Sequence, residues 1–184
     1  MTPTDFAKAA LDDCQLTIRA LDVKCGAVLV LLLAPLASAG SIFDALESID
    51  SRAWTYFLGV LFFGTWGASL MSLVRGLAPL DNPSLHILDY QSSAGTYYRG
   101  NLFKFGYTDA LFRRSVISSQ KKVADAVADL PKTDAEILSE LTFEHMKLCY
   151  IRDVKMRLLR WGIWFAKVWM LTGCVIYLWA RYGC

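Results

Sequence analysis

AWTYFLGVLFFGTWGASLMSLV, residues 53–74, lies between Arg52 and Arg75 and runs for 22 residues without a charge. A helix of about 20 apolar residues is long enough to cross the hydrocarbon core of a bilayer. Two other blocks share this character. Residues 25–43, between Lys24 and Asp44, hold 19 residues without a charge, and residues 161–180, between Arg160 and Arg181, hold a single one, Lys167. Uncharged stretches of this length read as membrane spans. The expected fold is therefore an all-α membrane protein with three transmembrane helices and a small helical cytoplasmic region. The competing reading is a soluble bundle with three buried core helices. It is the weaker one, because uncharged runs of this length are a membrane signature.

The whole chain agrees with this reading. It has 184 residues, of which 55% are hydrophobic and 20% charged, against roughly 25% charged in soluble domains. Its mean hydropathy is +0.36. Such totals exclude a disordered chain and a collagen-like repeat. Five cysteines are too few and too scattered for a disulfide scaffold. The length allows one or two compact units.

The first block does not read as a cleavable signal peptide, although Ala37-Ser38-Ala39 has the form of a cleavage site. Its lead-in carries four Asp and three basic residues, where a signal peptide opens with a short basic region. Pro35 is expected to kink this span by removing one helical hydrogen bond. In the second span, Gly64 and Ala68 stand at small-xxx-small spacing, the pattern that lets helices approach closely in lipid. This seam fits packing between the first two spans better than contact with a second copy. The third span carries Trp161, Trp164, Trp169 and Trp179, which suit the two interfacial belts. Lys167 has two readings: a side chain snorkelling back to the headgroups, or a pore-facing or partner-facing charge. Its closeness to the end of the span favours snorkelling.

Charge sets the expected orientation. The hairpin 44–52 carries Asp44, Glu47 and Asp50 against Arg52, whereas Arg75 to Arg160 holds 13 basic residues. Basic flanks stay in the cytoplasm. The N-terminus and the middle region are expected inside, the acidic hairpin and the short C-terminal tail outside. Cys14 and Cys149 would then be cytoplasmic and reduced.

The cytoplasmic parts are residues 1–24 and 75–160. Thr4 is the expected N-cap of a leader helix, with Asp5 in its first turn. Leu11, Cys14, Ile18 and Leu21 form its apolar stripe. Residues 76–108 are loop-like, punctuated by Gly76, Pro79, Pro83, Gly95, Gly100 and Gly106. Leu111, Val116, Val123, Val127 and Leu130 support a helix ended by Pro131. Thr133-Asp134-Ala135-Glu136 has the form of a capping box opening another. Its apolar stripe is Ile137, Leu141, Leu148, Ile151, Val154 and Leu158. Nothing breaks it before Gly162. One reading is a single stalk on the order of 70 Å through Ala180. The other is two helices bent near Gly162.

No phosphate-binding glycine loop, nucleophile elbow or paired-cysteine metal site occurs in the sequence. His86 and His145 lie far apart. The chain is therefore not expected to be an enzyme, and neither a cofactor, a metal nor a nucleic-acid polymer is called for. One segment carries binding chemistry. Tyr97-Tyr98-Arg99-Gly100-Asn101-Leu102-Phe103-Lys104-Phe105-Gly106-Tyr107 interleaves rings and cations, so rings could stack on a base while Arg99 and Lys104 meet a phosphate. Read alone, the same residues fit a headgroup-facing interfacial belt somewhat better.

Ile18-Arg19-Ala20-Leu21-Asp22-Val23-Lys24-Cys25-Gly26 leads directly into the first apolar block. This opening resembles that of the Pycsar transmembrane effector family, in which an amphipathic helix ends in an Asp-x-Lys-x-Gly step before two spans. Asn101-Leu102-Phe103-Lys104-Phe105-Gly106 is similar to the family's aromatic turn. Ile151 to Arg160 is similar to the basic helix leading into its last span. The layout is also similar to that of two-span defence effectors with a helical cytoplasmic tail. The resemblance implies an effector of bacterial antiphage defence in the inner membrane. A cyclic nucleotide second messenger from a partner cyclase would activate it, and it would then impair membrane integrity as a homo-oligomeric pore or channel. Under that implication Tyr97, Tyr98, Arg99, Asn101 and Lys104 are the candidate ligand contacts, with Arg152 and Lys155 contributing from the stalk. The alternative is a structural scaffold or accessory subunit that docks a cytoplasmic protein.

Overall fold

The computed structural model describes residues 1–33, 40, 44, 46, 52–80, 83–88, 119 and 121–182. Among these residues the chain is all-helical and has no strand. The helices are α1 (Pro3–Leu33), α2 (Arg52–Leu77), the short α3 (Val123–Ala128) and α4 (Asp134–Tyr182), with a 3-10 turn at Pro83–His86. They fall into two compact units. One comprises Met1–Gln15 and Leu80–Ile151, the other Leu16–Pro79 and Arg152–Cys184.

The long helices start where their side chains can close the first turn. The amide of Asp5 donates to Thr2 Oγ1 at 3.1 Å, and the amide of Thr2 donates to Asp5 Oδ2 at 3.1 Å. The cap of α1 is therefore Thr2, not Thr4. Pro3 explains the shift: its fixed φ and missing N–H suit the first helical position, which moves the cap one residue earlier. At α4 the amide of Glu136 donates to Thr133 Oγ1 at 3.2 Å, and the amides of Lys132 and Thr133 return to Glu136 Oε2 at 2.7 and 3.3 Å. This is the capping box that the sequence announces.

The unit formed by Leu16–Pro79 and Arg152–Cys184 is a three-helix packing with one stripe of each helix inside. Leu21, Cys25, Leu32, Leu73 and Leu159 form its main core, with Val28, Trp66, Leu70 and Ile163 packed around them. The helix register follows from the contacts. A Cβ on Gly76 would sit 3.4 Å from Cys25 Sγ and 3.7 Å from Leu158 Cβ, so these three residues share one layer. Asp22, one turn before Cys25, pairs with Lys155, one turn before Leu158. Further along, Trp66 Nε1 donates to the Leu32 carbonyl at 2.9 Å, and Ser69 Oγ donates to the Gly162 carbonyl at 2.8 Å. Near the opposite end, Leu58, Phe62 and Ile176 cluster with Leu46, and Trp54 meets Trp179 at 6.4 Å. Here α1 and α4 run in the same direction, with α2 antiparallel to both. Leu46, in the segment expected to connect the first two spans, is helical and buried.

Beyond the Cys25–Gly76–Leu158 layer, the exterior of this unit is mostly apolar. Leu31 is 70% exposed, Val60 73% and Leu171 67%, against 0% for Cys25 and Leu73. Two helices, α2 and α4, are long and apolar enough to cross a membrane. Hydroxyls along them turn back on their own backbone: Thr65 to Leu61, Ser72 to Ala68 and Thr172 to Val168, at 2.6–2.9 Å. Such bonds are what a helix in hydrocarbon requires, since no water is there to satisfy a free hydroxyl. In the first expected span, Cys25–Leu33 is helical. Pro35 and the small residues Ala37, Ser38, Ala39 and Ser41 lie outside the described residues.

α4 is a single helix of 49 residues with no break at Gly162. That glycine is a notch: a Cβ there would lie 2.7 Å from Leu73 Cδ2 and 2.8 Å from Leu73 Cγ. The close approach of α2 to α4 thus falls on Ser69, Leu73 and Gly162. Gly64 is exposed, with nothing among the described residues within 4 Å of an added Cβ, while much of the first span, against which Gly64 and Ala68 were expected to pack, lies outside the described residues. Two outcomes follow. Gly162→Ala lowers the stability of the detergent-solubilised protein, because overpacking costs about 1–3 kcal/mol and alanine's helix preference offsets only part of that. Gly64→Ala leaves it unchanged or slightly raised. Paired thermal melts check both.

The caps also carry a pH dependence. Backbone bonds from Lys132 and Thr133 hold the Glu136 carboxyl below its ordinary range, and the Thr2 hydroxyl does the same for Asp5. A carboxyl depressed by folding contributes fully above its ordinary value, and that contribution is lost as pH falls through the depressed value. The first turn of α4 therefore loses amide-exchange protection under acid. Glu136→Gln keeps an acceptor at the cap and removes this acid sensitivity.

Candidate functional site

Ligand contacts were expected in two places, and the structure describes one of them. Tyr97, Tyr98, Arg99, Asn101 and Lys104 lie outside the described residues. Arg152 and Lys155 stand on α4. Arg152 is half-buried and forks onto the Asp153 carboxylate, its Nε and Nη2 donating to Oδ1 at 3.0 and 2.9 Å. Lys155 is buried, with 9% of its side chain exposed, and its ammonium donates to Asp22 on α1.

The Asp22–Lys155 pair gives a physical reason for the Asp in the Asp22-Val23-Lys24-Cys25-Gly26 step. Burying an ammonium is costly unless a carboxylate and close packing compensate it. Asp22 supplies the carboxylate one turn outside the Cys25–Gly76–Leu158 layer. Lys155 is thus an interhelical contact first, and any anionic ligand that reaches it competes with Asp22.

In the unit formed by Met1–Gln15 and Leu80–Ile151, α4 turns a second set of charges inward. Glu140, Glu144 and Lys147 are each at most 7% exposed. Their spacing of four and three residues places them on one face of the helix. Lys147 Nζ donates to Glu144 Oε1 and lies 4.7 Å from the centroid of the Phe143 ring. Burial pushes the Glu144 carboxyl above its ordinary range, Lys147 draws it back, and Glu140 adds a smaller push upward. Beside this stripe, His145 Nε2 meets Cys149 Sγ at 3.4 Å, while its Nδ1 is buried and has no hydrogen-bond partner among the described residues. His86 stacks on Tyr150 with centroids 4.4 Å apart. The expected apolar stripe of this helix is therefore half polar. Its signal was the i, i+4, i+7 spacing of Glu140, Glu144 and Lys147, which reads equally well as a solvated face.

Two other features bear on what the protein can bind. An apolar groove runs between α2 and α4, lined by Phe62, Trp169, Gly173 and Tyr177 among others. Its lining carries no charge among the described residues. Lys167 is exposed and has no ion-pair partner among the described residues. Also among the described residues, no group of three His, Cys, Asp or Glu side chains could hold a metal.

The Asp22–Lys155 pair makes an asymmetric prediction. Asp22→Asn leaves a buried ammonium unpaired and lowers stability by about 2–3 kcal/mol, less than a fully buried pair would lose because Asp22 is half-exposed. Lys155→Met costs less, because the thioether fills the buried path of the lysine stem while Asp22 hydrates. Equal losses in detergent melts would show that the ammonium is not dependent on Asp22.

No curated protein and no solved structure matches the chain. The Pycsar effector protein domain matches residues 6–181, from the first turns of α1 to the end of α4. With two helices able to cross a membrane and a family domain covering nearly its whole length, the chain belongs to the Pycsar effector family, membrane effectors of cyclic-nucleotide-linked antiphage defence.

Proposed function

We propose that the protein is a three-span effector of the bacterial inner membrane that opens the bilayer when a cyclic nucleotide binds its cytoplasmic part. The observation that carries this reading is the register of the three-helix unit. α1 and α4 run one way and α2 the other, and beyond the Cys25–Gly76–Leu158 layer the exterior of all three helices is mostly apolar. A third span built on residues 25–43 fits that arrangement, and it sets the N-terminus and the segment 75–160 on one face of the membrane. Exposed Lys24, Arg75 and Arg157 each precede a member of the Cys25–Gly76–Leu158 layer. Cations gathered at one boundary belong on the cytoplasmic side.

In this proposal Tyr97, Tyr98, Arg99, Asn101 and Lys104 meet the nucleotide, rings against the base and cations against the phosphate. Arg152 and Lys155 contribute only when their carboxylate partners give way. A ligand shifts the equilibrium only through its better fit to one arrangement of the helices. Three spans cannot line a wide pore, so the active form is a homo-oligomer, and Lys167 faces its partners, its pore or the headgroups.

Dye-loaded liposomes containing the purified protein test the proposal. Leakage is expected when one cyclic nucleotide from a panel of such nucleotides is added, and Arg99→Ala with Lys104→Ala is expected to abolish it. Tight liposomes under every cyclic nucleotide, with normal growth on overexpression, would contradict the proposal.

A further inference from the structure

The layer that joins Cys25, Gly76 and Leu158 carries more than packing. Each of its three members follows a basic residue: Lys24 on α1, Arg75 on α2 and Arg157 on α4. One residue along a helix is about 1.5 Å of rise and a turn of about 100°. These cations therefore sit at the level of the layer but point away from its buried centre, and all three are exposed. Arg160 stands three residues beyond Arg157 on α4, exposed as well, with Nη2 resting 3.6 Å from Met156 Sδ. Just beyond it, toward the apolar part, Trp161 and Trp164 are 57% and 53% exposed.

The carboxylates at this level are already engaged. Asp22 holds Lys155, and Asp153 holds Arg152. Lys24, Arg75, Arg157 and Arg160 are in no ion pair among the described residues. Four free cations drawn from three helices, bordered by two exposed indoles, form a collar at the edge of an apolar unit. We infer that this collar binds the headgroups of anionic phospholipids, phosphodiesters with a net negative charge such as phosphatidylglycerol. Each basic side chain near an anionic membrane surface adds to the attraction, and the indoles fix its depth. The inference rests on the membrane reading above and adds a lipid class to it.

The test uses the full chain in a neutral detergent, with Tm measured after adding phosphatidylglycerol or phosphatidylcholine. Phosphatidylglycerol is expected to raise Tm above the phosphatidylcholine value, and high salt to erase the difference. The variant Lys24→Gln, Arg75→Gln, Arg157→Gln, Arg160→Gln should lose that increment and keep its Tm in phosphatidylcholine. Arg75→Gln alone should lose part of it, which covers the case in which the fourfold variant fails to fold. A comparator with Lys8, Lys121, Lys122 and Lys132 changed to Gln should keep the increment. Equal responses to the two lipids, a collar variant that retains the increment, or an equal rise with inorganic phosphate would overturn the inference. A chain that needs detergent yet shows no lipid preference sinks the collar alone. A chain that stays monodisperse without detergent sinks the membrane reading with it.

Discussion

Three helices packed together can hide one stripe each, and this chain has more apolar surface than three stripes can use. Leu73, Cys25 and Leu32 fill the inside. Leu31, Val60, Phe57, Leu171 and Val175 remain outside. In water that exterior would be an aggregation surface far larger than a soluble monomer carries. In lipid it is the ordinary solvent-facing surface, and the helices are held by close fit and internal hydrogen bonds instead. The other features of the unit follow from that constraint. Hydroxyls turn back on their own helices, Ser69 and Trp66 bond to backbone carbonyls of neighbouring helices, and glycine stands where Leu73 must enter α4.

The same constraint governs where charge is tolerated. Lys155 is admitted beside the three-helix core because Asp22 meets it, and free cations are kept at the collar. In the other unit Glu140, Glu144 and Lys147 are buried together, with the Glu144 carboxyl raised by desolvation. A buried ion pair is weak evidence for stability, since well-packed apolar residues often do as well or better. Two such pairs involve one continuous helix, Glu144–Lys147 and Asp22–Lys155.

Much of this was legible in the sequence because membrane spans write themselves as uncharged runs. The block 53–74 needed no context, and the cap at Thr133 and Glu136 follows from a local four-residue pattern. The family was legible from Asp22, Lys24 and Gly26 ahead of an apolar block. What was not legible depends on which side of a helix meets which neighbour. Lys155 looked like an open cation because its partner lies 133 residues away in sequence. The burial of Glu140, Glu144 and Lys147 carries no sequence signal, because charged side chains normally face water. Gly64 reads as a packing residue by spacing alone, whereas among the described residues Gly76, Gly162 and Gly173 are the glycines that side chains of another helix approach most closely. Thr4 fits the N-cap preference by residue type, but Pro3 suits the first helical position and moves the cap to Thr2.

The most direct measurement of the central claim is side-specific labelling of single cysteines in living bacteria, on a cysteine-free background. A membrane-impermeant maleimide is added to intact cells and then to lysed ones. With three lipid-embedded helices, Asp44→Cys is labelled in intact cells, and Lys8→Cys and Lys121→Cys only after lysis. Labelling of Lys8→Cys and Asp44→Cys on the same side would contradict it, because no helix between them would then cross the membrane.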